Sequence, residues 1–166
     1  MKIFKINDVK GFMKLFLNSA AFDDFQLVEL TIKKYTTIII DGHANEDFYK
    51  NDENYTLRGN EYASWAELRP LCMELIKGRN TPLYMKYVLQ KNPSAILPPS
   101  GEPLTDKAAS EARSLLLNIA YSEQLLTLTT AVNFTGFYPD STLPSIWDSY
   151  IENLLKNNSL DYSDFD

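Results

Sequence analysis

The sequence has few of the residues that most often carry catalysis. It contains one histidine, one cysteine and six glycines in 166 residues. A lone cysteine cannot form an internal disulfide, and one histidine with one cysteine cannot supply the usual ligands of a zinc site. The glycines stand singly, so no Walker or dinucleotide-binding loop is present. The composition therefore predicts neither a cofactor nor a zinc ion.

Long apolar runs are also missing. No stretch approaches the roughly 20 residues that cross a bilayer, and no charged leader followed by an apolar run opens the chain. We therefore expect a cytoplasmic protein that makes no contact with a membrane. With 45% hydrophobic and 13% aromatic residues, the chain is able to bury the core of one domain. We predict that this domain spans residues 1–158.

The net charge of −6 is unevenly distributed. Residues 1–91 hold 13 Lys and Arg against 12 Asp and Glu, whereas residues 92–166 hold 3 against 10. Because the acidic second part repels phosphate backbones, only a basic surface of the first part is able to meet nucleic acid. Nucleic acid is therefore an unfavoured partner, although Lys10 and Lys14, on the polar side of the first predicted helix, suit such a contact.

Apolar residues alternate between the period of a strand and the period of a helix. Val9, Phe12 and Phe16 stand at helical spacing, and Ser64 with Glu67 forms a capping box in front of a second helical stripe. The predicted elements are, in order, a strand at 2–6, a helix from residue 9, a hairpin over 26–41 that turns near 33–35, a helix at 65–77, a strand at 83–89, a proline-rich loop at 92–112, a hairpin over 115–134 and a helix at 143–157.

The order of these elements predicts an α+β fold. Short hairpins produce antiparallel pairs, so we expect a largely antiparallel sheet with two or three amphipathic helices packed on one face. In the first hairpin the alternation places Val28 on the core side. In the second helix Leu71 falls on the apolar stripe and Pro70 on the opposite side, and Gly78 should end the helix.

The tripeptide Asp41-Gly42-His43 follows a predicted strand and holds the only histidine. A carboxylate beside an imidazole is able to orient a general base, so a hydrolase or a metal-dependent enzyme built on this loop is one hypothesis. The alternative is a simple turn, because Asp-Gly is a common turn dipeptide and the sequence places no nucleophile nearby. Asp47 adds an oxygen ligand, but Glu46 occupies the position at which an EF-hand requires glycine, so we predict no metal site.

Aromatic residues indicate two further binding surfaces. Tyr49 and Trp65 flank the charged loop and either contact a ligand or partner or close the end of the sheet. The tail at 159–166 alternates acidic and apolar residues, and Tyr162 and Phe165 are suited to anchor it in a groove or along a sheet edge. We expect the tail to dock on a neighbouring copy or on the site of a partner. Docking on its own domain is the alternative.

Two long segments carry a resemblance to a known family: FDDFQLVELTIKKYTTIIIDGHANEDFY and YASWAELRPLCMELIKGRNTPLYMKYVLQ. They resemble a small family of uncharacterised Gram-positive bacterial proteins that is defined only as a domain of unknown function. The resemblance covers most of the chain apart from the proline-rich loop and the tail. It implies no activity, since none is assigned to that family.

The order strand, helix, hairpin, helix, strands is similar to that of one lobe of a DNA sliding clamp. Clamps line their channel with helices that bear basic residues, and Lys10 and Lys14 suit that role. Glu67 and Glu74 in the second helix, and the acidic residues of the last helix, do not. The resemblance implies a clamp-like nucleic-acid accessory protein as an alternative function.

The absence of a placed nucleophile, a metal-ligand set or a phosphate-binding loop favours a non-catalytic module. We predict that it binds a protein partner or associates with itself. The alternatives are the clamp-like accessory protein and an enzyme that uses the loop with the only histidine. The predicted binding residues are Asp41, His43, Asp47, Tyr49, Trp65, Tyr162 and Phe165.

Overall fold

The computed structural model describes residues 1–49, 61–96, 110–137 and 141–165. Most of the predicted proline-rich loop at 92–112 lies outside these ranges. The described elements are β1 (Ile3–Ile6), α1 (Val9–Asn18), β2 (Gln26–Lys33), β3 (Thr37–Asp41), a 3-10 helix (Glu46–Tyr49), α2 (Trp65–Ile76), β4 (Tyr84–Lys91), a second 3-10 helix (Pro93–Ala95), β5 (Ala112–Ser122), β6 (Leu125–Phe134), α3 (Thr142–Asn157) and β7 (Tyr162–Asp164).

The seven strands of these ranges form one antiparallel sheet with the order β3–β2–β4–β5–β6–β1–β7. The two predicted hairpins are β2–β3 and β5–β6. Helices α1, α2 and α3 bury apolar side chains in one cluster with the side chains of one face of the sheet. The predicted α+β fold, with a largely antiparallel sheet, is therefore confirmed. No helix of the described ranges is long and apolar enough to cross a bilayer.

The register of the strands aligns their buried residues across the sheet. Leu30, Tyr87, Ile119, Leu128 and Phe4 stand opposite one another in a single row over five strands, and each is almost fully buried. A shift of one residue in any pair would turn that strand's apolar side chains to the other face. The alternation in the sequence therefore determines the register.

Aromatic rings join α1 and α2 to the sheet. The Phe16 ring stacks on Trp65 with 4.3 Å between centroids and meets Tyr87 edge-on at 5.0 Å. The Trp65 indole N–H donates to the Phe16 carbonyl oxygen at 3.2 Å. In the same way the Trp147 indole N–H donates to the carbonyl oxygen of Leu116 at 2.9 Å. Each buried indole thus has the polar partner that it requires.

Helix α2 begins with the predicted capping box. The Ser64 hydroxyl accepts a hydrogen bond from the Glu67 N–H, and the Glu67 carboxylate accepts one from the Ser64 N–H, each at 3.3 Å. Pro70 lies inside the helix on its exposed side, as predicted. The prediction that Leu71 faces the core is wrong, since it is 49% exposed. Leu71 lies about 100° from the buried Cys72 around the helix axis, outside the part of the helix surface that faces the sheet.

The C-terminal end of α2 is held from outside the helix. The helix ends at Ile76, and Gly78 follows with a φ of +146°, a conformation that favours glycine. Lys34, in the β2–β3 turn, donates from Nζ to the carbonyl oxygens of Leu75 (3.1 Å) and Lys77 (2.9 Å). The lysine thus satisfies two terminal acceptors and lies at the negative end of the helix dipole.

Truncation of Phe16 tests the core. Its side chain is fully buried against several aromatic rings, so we expect Phe16→Ala to lower the free energy of unfolding by about 3–5 kcal/mol. Leu71→Ala, on the exposed side of α2, should change it by less than about 0.5 kcal/mol. Urea denaturation followed by circular dichroism measures both. Equal losses at the two sites would mean that this orientation of α2 is wrong.

Candidate functional site

The segment 41–43 lies beside a bulge in β2. The pairing of β2 with β4 shifts between Leu27 and Glu29, and Leu27 rather than Val28 is buried in the core. The prediction that Val28 faces the core is therefore wrong. Gly42 donates its N–H to the Val28 carbonyl oxygen at 2.9 Å, and a Cβ at Gly42 would lie 1.7 Å from the Leu27 carbonyl oxygen. Only glycine allows this close approach.

Residues 61–64 form backbone hydrogen bonds with the segment 41–43 and with the start of β2. Ala63 donates its N–H to the Gly42 carbonyl oxygen at 2.8 Å, and Leu27 donates its N–H to the Ala63 carbonyl oxygen at 3.0 Å. Residues 61–64 therefore lie between the end of β3 and the start of β2. Asp41 ends β3, and His43 forms an isolated antiparallel bridge with Tyr62, so the tripeptide leads from the strand to the returning segment.

Asp41 and His43 form a hydrogen-bonded pair at the surface. Asp41 Oδ1 accepts a hydrogen bond from the His43 N–H (3.0 Å) and lies 2.7 Å from His43 Nδ1. The backbone N–H of His43, and after it the ring, lowers the pKa of the Asp41 carboxyl. On the other side of the imidazole, Nε2 is 3.9 Å from Glu61 Oε1, and the Tyr62 ring lies 4.5 Å away between centroids. Arg113 Nη2 reaches the same Glu61 carboxylate at 3.6 Å.

Among the described residues, this cluster orients an imidazole but places no nucleophile beside it. Within the described part of the chain, His43 contacts Asp41, Glu61 and Tyr62 and no Ser, Thr or Cys side chain. The same part contains no group of three or more His, Cys, Asp or Glu placed to hold a metal ion. Cys72 is buried, and desolvation raises the pKa of its thiol to about 12, which keeps it protonated. The geometry gives the hydrolase hypothesis no support.

The other predicted site residues lie apart from this cluster. Asp47 is exposed on the 3-10 helix that follows, and the side chain of Tyr49 falls outside the described residues. Trp65 is fully buried, which corrects the prediction that it lies on a binding surface. Trp65 is the first residue of α2 and belongs to the apolar stripe of this helix, which faces the sheet. Lys10 and Lys14 are both exposed on α1, on the predicted side.

The C-terminal tail adds β7 to the sheet edge that β1 forms. Residues Tyr162–Asp164 pair antiparallel with β1, and the Phe165 N–H donates to the Ile3 carbonyl oxygen at 3.0 Å. The Tyr162 ring meets Phe4 edge-on at 5.6 Å. In the single chain the tail thus docks on its own domain, which is the alternative to docking on a neighbouring copy.

Glu152, on α3, fastens this tail. Its carboxylate accepts hydrogen bonds from the Lys156 ammonium (2.9 Å), the Tyr162 hydroxyl (3.0 Å) and the Lys2 ammonium (3.3 Å). Lys2 Nζ also lies 3.1 Å from an Asp164 oxygen. These donors, Lys156 first, lower the pKa of Glu152 to about 2. One carboxylate therefore ties the last helix to both ends of the chain.

A cleft opens at the end of the sheet where the β2–β3 hairpin turns. It has two parts, of about 280 Å³ and about 500 Å³, which share Gly78, Asn80 and Thr81 of the loop between α2 and β4 as lining residues. The smaller part, which we call the apolar cleft, is lined chiefly by Val9, Met13, Leu17, Ile76, Pro82, Met85 and Tyr121. The larger part, which we call the basic rim, is bordered by Lys34, Tyr35, Lys77, Arg79 and Leu83.

The basic rim exposes large apolar side chains next to cations. Tyr35 is 89% exposed and Leu83 73% exposed. Lys77 pairs with Glu74 at 2.5 Å, whereas Arg79 is exposed and has no carboxylate partner among the described residues. Exposed apolar groups that gather beside a cleft mark a surface that is suited to binding.

The comparison with known proteins identifies a family without an assigned activity. A model described as a family of unknown function, DUF5721, matches residues 14–163. The chain belongs to this family. No curated protein and no solved structure matches the chain. Membership of a family of unknown function is thus confirmed, whereas the Gram-positive origin and the likeness to a sliding clamp stay predictions.

The sequence analysis missed the cleft because its walls meet only in the folded sheet. Lys34 and Tyr35 stand in the β2–β3 turn, and Arg79 stands in the loop after α2. In the sequence, each of these two segments has cations beside apolar residues. This composition indicates only an exposed surface. Nothing in the linear sequence indicates that the two turns lie at the same end of the sheet.

The pKa of Asp41 tests the strand junction. We expect an NMR titration of the side-chain carboxyl carbons to give a value below the ordinary 3.8. In His43→Ala the ring contact is lost but the backbone N–H remains, so the pKa should rise only part of the way. In Gly42→Ala the added methyl group prevents the close approach to Leu27, so the pKa of Asp41 should return fully to the ordinary value. If His43→Ala alone gave this full return, the contact between Asp41 and the His43 backbone N–H would be contradicted.

Acidification tests the role of Glu152. Its pKa of about 2 lies below the ordinary 4.5, so the ionised carboxylate stabilises the folded state above pH 4.5, and this contribution is lost as the pH falls towards 2. We expect the β7 amides to lose protection from hydrogen exchange in that interval before the central strands do. Glu152→Gln should remove the protection of the β7 amides already at neutral pH. Asp161→Asn, a change in the same tail, should leave this protection unchanged. Unchanged exchange in Glu152→Gln would contradict the assignment.

Proposed function

We propose that this protein is a non-catalytic module that binds a partner protein through the cleft at the hairpin end of the sheet. The occupant of the cleft is an acidic segment of the partner with apolar anchor residues. The observation that supports the proposal is an open apolar cleft bordered by cations on a chain whose net charge is −6.

The apolar cleft suits side chains that anchor a peptide. Val9, Met13 and Leu17 follow one another along α1 at about one helical turn and form one wall, opposite Pro82 and Tyr121. Methionine adapts its flexible thioether to differently shaped partners. The two parts of the cleft, about 280 Å³ and 500 Å³, are of the size of sites that bind ligands.

The cations around the cleft favour an acidic occupant. Lys10 and Lys14 are exposed on the polar side of α1 and do not line the cleft, so they add positive potential rather than a direct contact. Arg79, on the basic rim, offers a fork of N–H donors that matches a carboxylate. Lys34 Nζ is engaged with the carbonyl oxygens of α2, so it adds positive potential rather than a direct contact. Such a field accelerates the encounter with an acidic segment.

The exposed apolar residues of the basic rim favour a protein over a small ion as the occupant. Tyr35 and Leu83 remain almost entirely in water in the single chain. A peptide that crosses the basic rim would cover both, and aromatic residues are enriched at such interfaces. A free anion would neutralise the cations but would leave this apolar surface exposed.

The proposal is tested with a synthetic peptide of sequence SLDYSDFD, which corresponds to residues 159–166, and with its basic counterpart SLKYSKFK. An NMR titration of the 15N-labelled protein reports the site and the affinity. We expect the acidic peptide to shift the amides of Val9, Met13 and Arg79, with a Kd of about 0.1–1 mM. The basic peptide should shift none of them, because its charges repel the basic rim.

Charge reversal supplies the matched control. Arg79→Glu should weaken binding of the acidic peptide by about tenfold, and Lys14→Glu, which changes only the surrounding potential, should weaken it less. Lys5→Glu, an equal change on the exposed β1 surface, should leave it unchanged. Equal binding of both peptides, or shifts confined to the β1 edge, would contradict the proposal. Salt-sensitive binding of duplex DNA that Lys14→Glu removes would instead favour the clamp-like alternative.

A further inference from the structure

Among the described residues, strand β3 leaves one edge of the sheet open. It is the outermost strand on its side, and Thr37, Ile39 and Asp41 are exposed along it, Ile39 to 68%. Its pairing with β2 is regular from end to end, without a bulge. The sequence of the strand, TIIID, contains no lysine or proline. Natural edge strands normally carry such features because they prevent pairing with another chain.

The backbone groups of β3 that face outward follow from its pairing with β2. Hydrogen bonds join Lys34 N–H to the Thr36 carbonyl oxygen and Gly42 N–H to the Val28 carbonyl oxygen, each at 2.9 Å. In an antiparallel pair the residues that bond inward alternate with those that do not. Even-numbered residues of β3 therefore bond to β2. The N–H and C=O groups of residues 37, 39 and 41 point away from the sheet, on the same three residues whose side chains are exposed.

We propose that β3 pairs antiparallel with β3 of a second copy, around a two-fold axis at Ile39. The outward groups then form hydrogen bonds between the copies, and the two sheets continue into one. Ile39 stands opposite Ile39 of the second copy, so the most exposed apolar residue of the edge is covered by its own counterpart. Asp41 stands opposite Thr37, so the two carboxylates do not face each other. The strand is thus complementary to itself.

The opposite edge of the sheet fits this role poorly. Strand β7 has three residues, follows Asp161 and ends with Asp164. Pairing of β3 with β7 would bring Asp41 beside this acidic tail. It would also join unlike edges and so build an open filament, whereas β3 with β3 closes after two copies. The charges therefore favour the closed pair.

The proposed contact is small, so the association should be reversible. A strand of five residues buries less area than a permanent dimer requires. We expect monomers and dimers to exchange, with a Kd of about 10–100 µM. This association uses a different surface from the apolar cleft, and it stands or falls independently of the proposed peptide binding.

The first test is the mass of the full chain by sedimentation velocity at increasing concentration. We expect the wild type to shift from the monomer to twice its mass by about 0.5 mM. Ile39→Lys sets two ammonium groups opposite each other and should keep the protein monomeric. Ser163→Lys makes an equal change on the opposite edge strand, β7, and should leave the dimer intact. Circular dichroism checks that both variants are folded.

Position 37 tests the register. Thr37→Asp places a carboxylate opposite Asp41 of the second copy at two equivalent positions, so it should weaken the dimer by about tenfold. Thr37→Lys should strengthen it, and salt should reduce both effects. Within one chain Thr37 stands opposite Lys33, so the effects on the stability of the monomer have the opposite signs. A change of stability therefore cannot imitate the expected result.

Three results would overturn the proposal. A wild type that stays at the mass of a monomer at the highest concentration would show that β3 does not pair. Association of Ile39→Lys as strong as that of the wild type would place the contact elsewhere. Loss of association in Ser163→Lys, or growth beyond two copies, would show that unlike edges meet.

Discussion

The structure depends on the close approach of Gly42 to the Leu27 carbonyl oxygen. This contact lets residues 61–64 enter between the ends of β2 and β3, where their backbone groups find partners in both strands. The inserted segment leads directly into α2 and sets the position of Trp65, which stacks on Phe16 and so packs α2 against α1 over the sheet. A side chain at position 42 would force the strands apart, and the disturbance would reach the aromatic core as well as the surface cluster.

The charged residues of this chain divide into those that fasten the fold and those that remain available at the surface. Glu152 ties α3 to both termini, and Arg69 holds Asp23 through two nitrogens at 2.9 Å each. Arg79, beside the cleft, is exposed instead. The acidic excess of the second half is therefore partly engaged in holding the tail, while the Arg79 guanidinium remains at the surface of the cleft.

Under the proposed function, the protein acts through its surfaces and not through the Asp41–His43 pair. In the described part of the chain this solvent-exposed pair has Glu61 and Tyr62 as its neighbours. The cleft and the β3 edge both lie at the β2–β3 hairpin, and each combines apolar surface with a polar means of alignment. In the interactions that we propose, cations align a partner at the cleft, and outward backbone groups align a second copy at the edge.

The sequence by itself determined the elements whose contacts are local. The spacing of Val9, Phe12 and Phe16 specifies α1, the Ser64 capping box specifies the start of α2, and alternation specifies both hairpins, because each pattern records which side chains must turn away from water. The tertiary structure decided the rest. The β2 bulge, the docking of the tail on β1 and the cleft all arise where segments distant in sequence meet. Periodicity indicates which face of a helix or strand is buried, but it does not indicate which other segment of the chain covers that face.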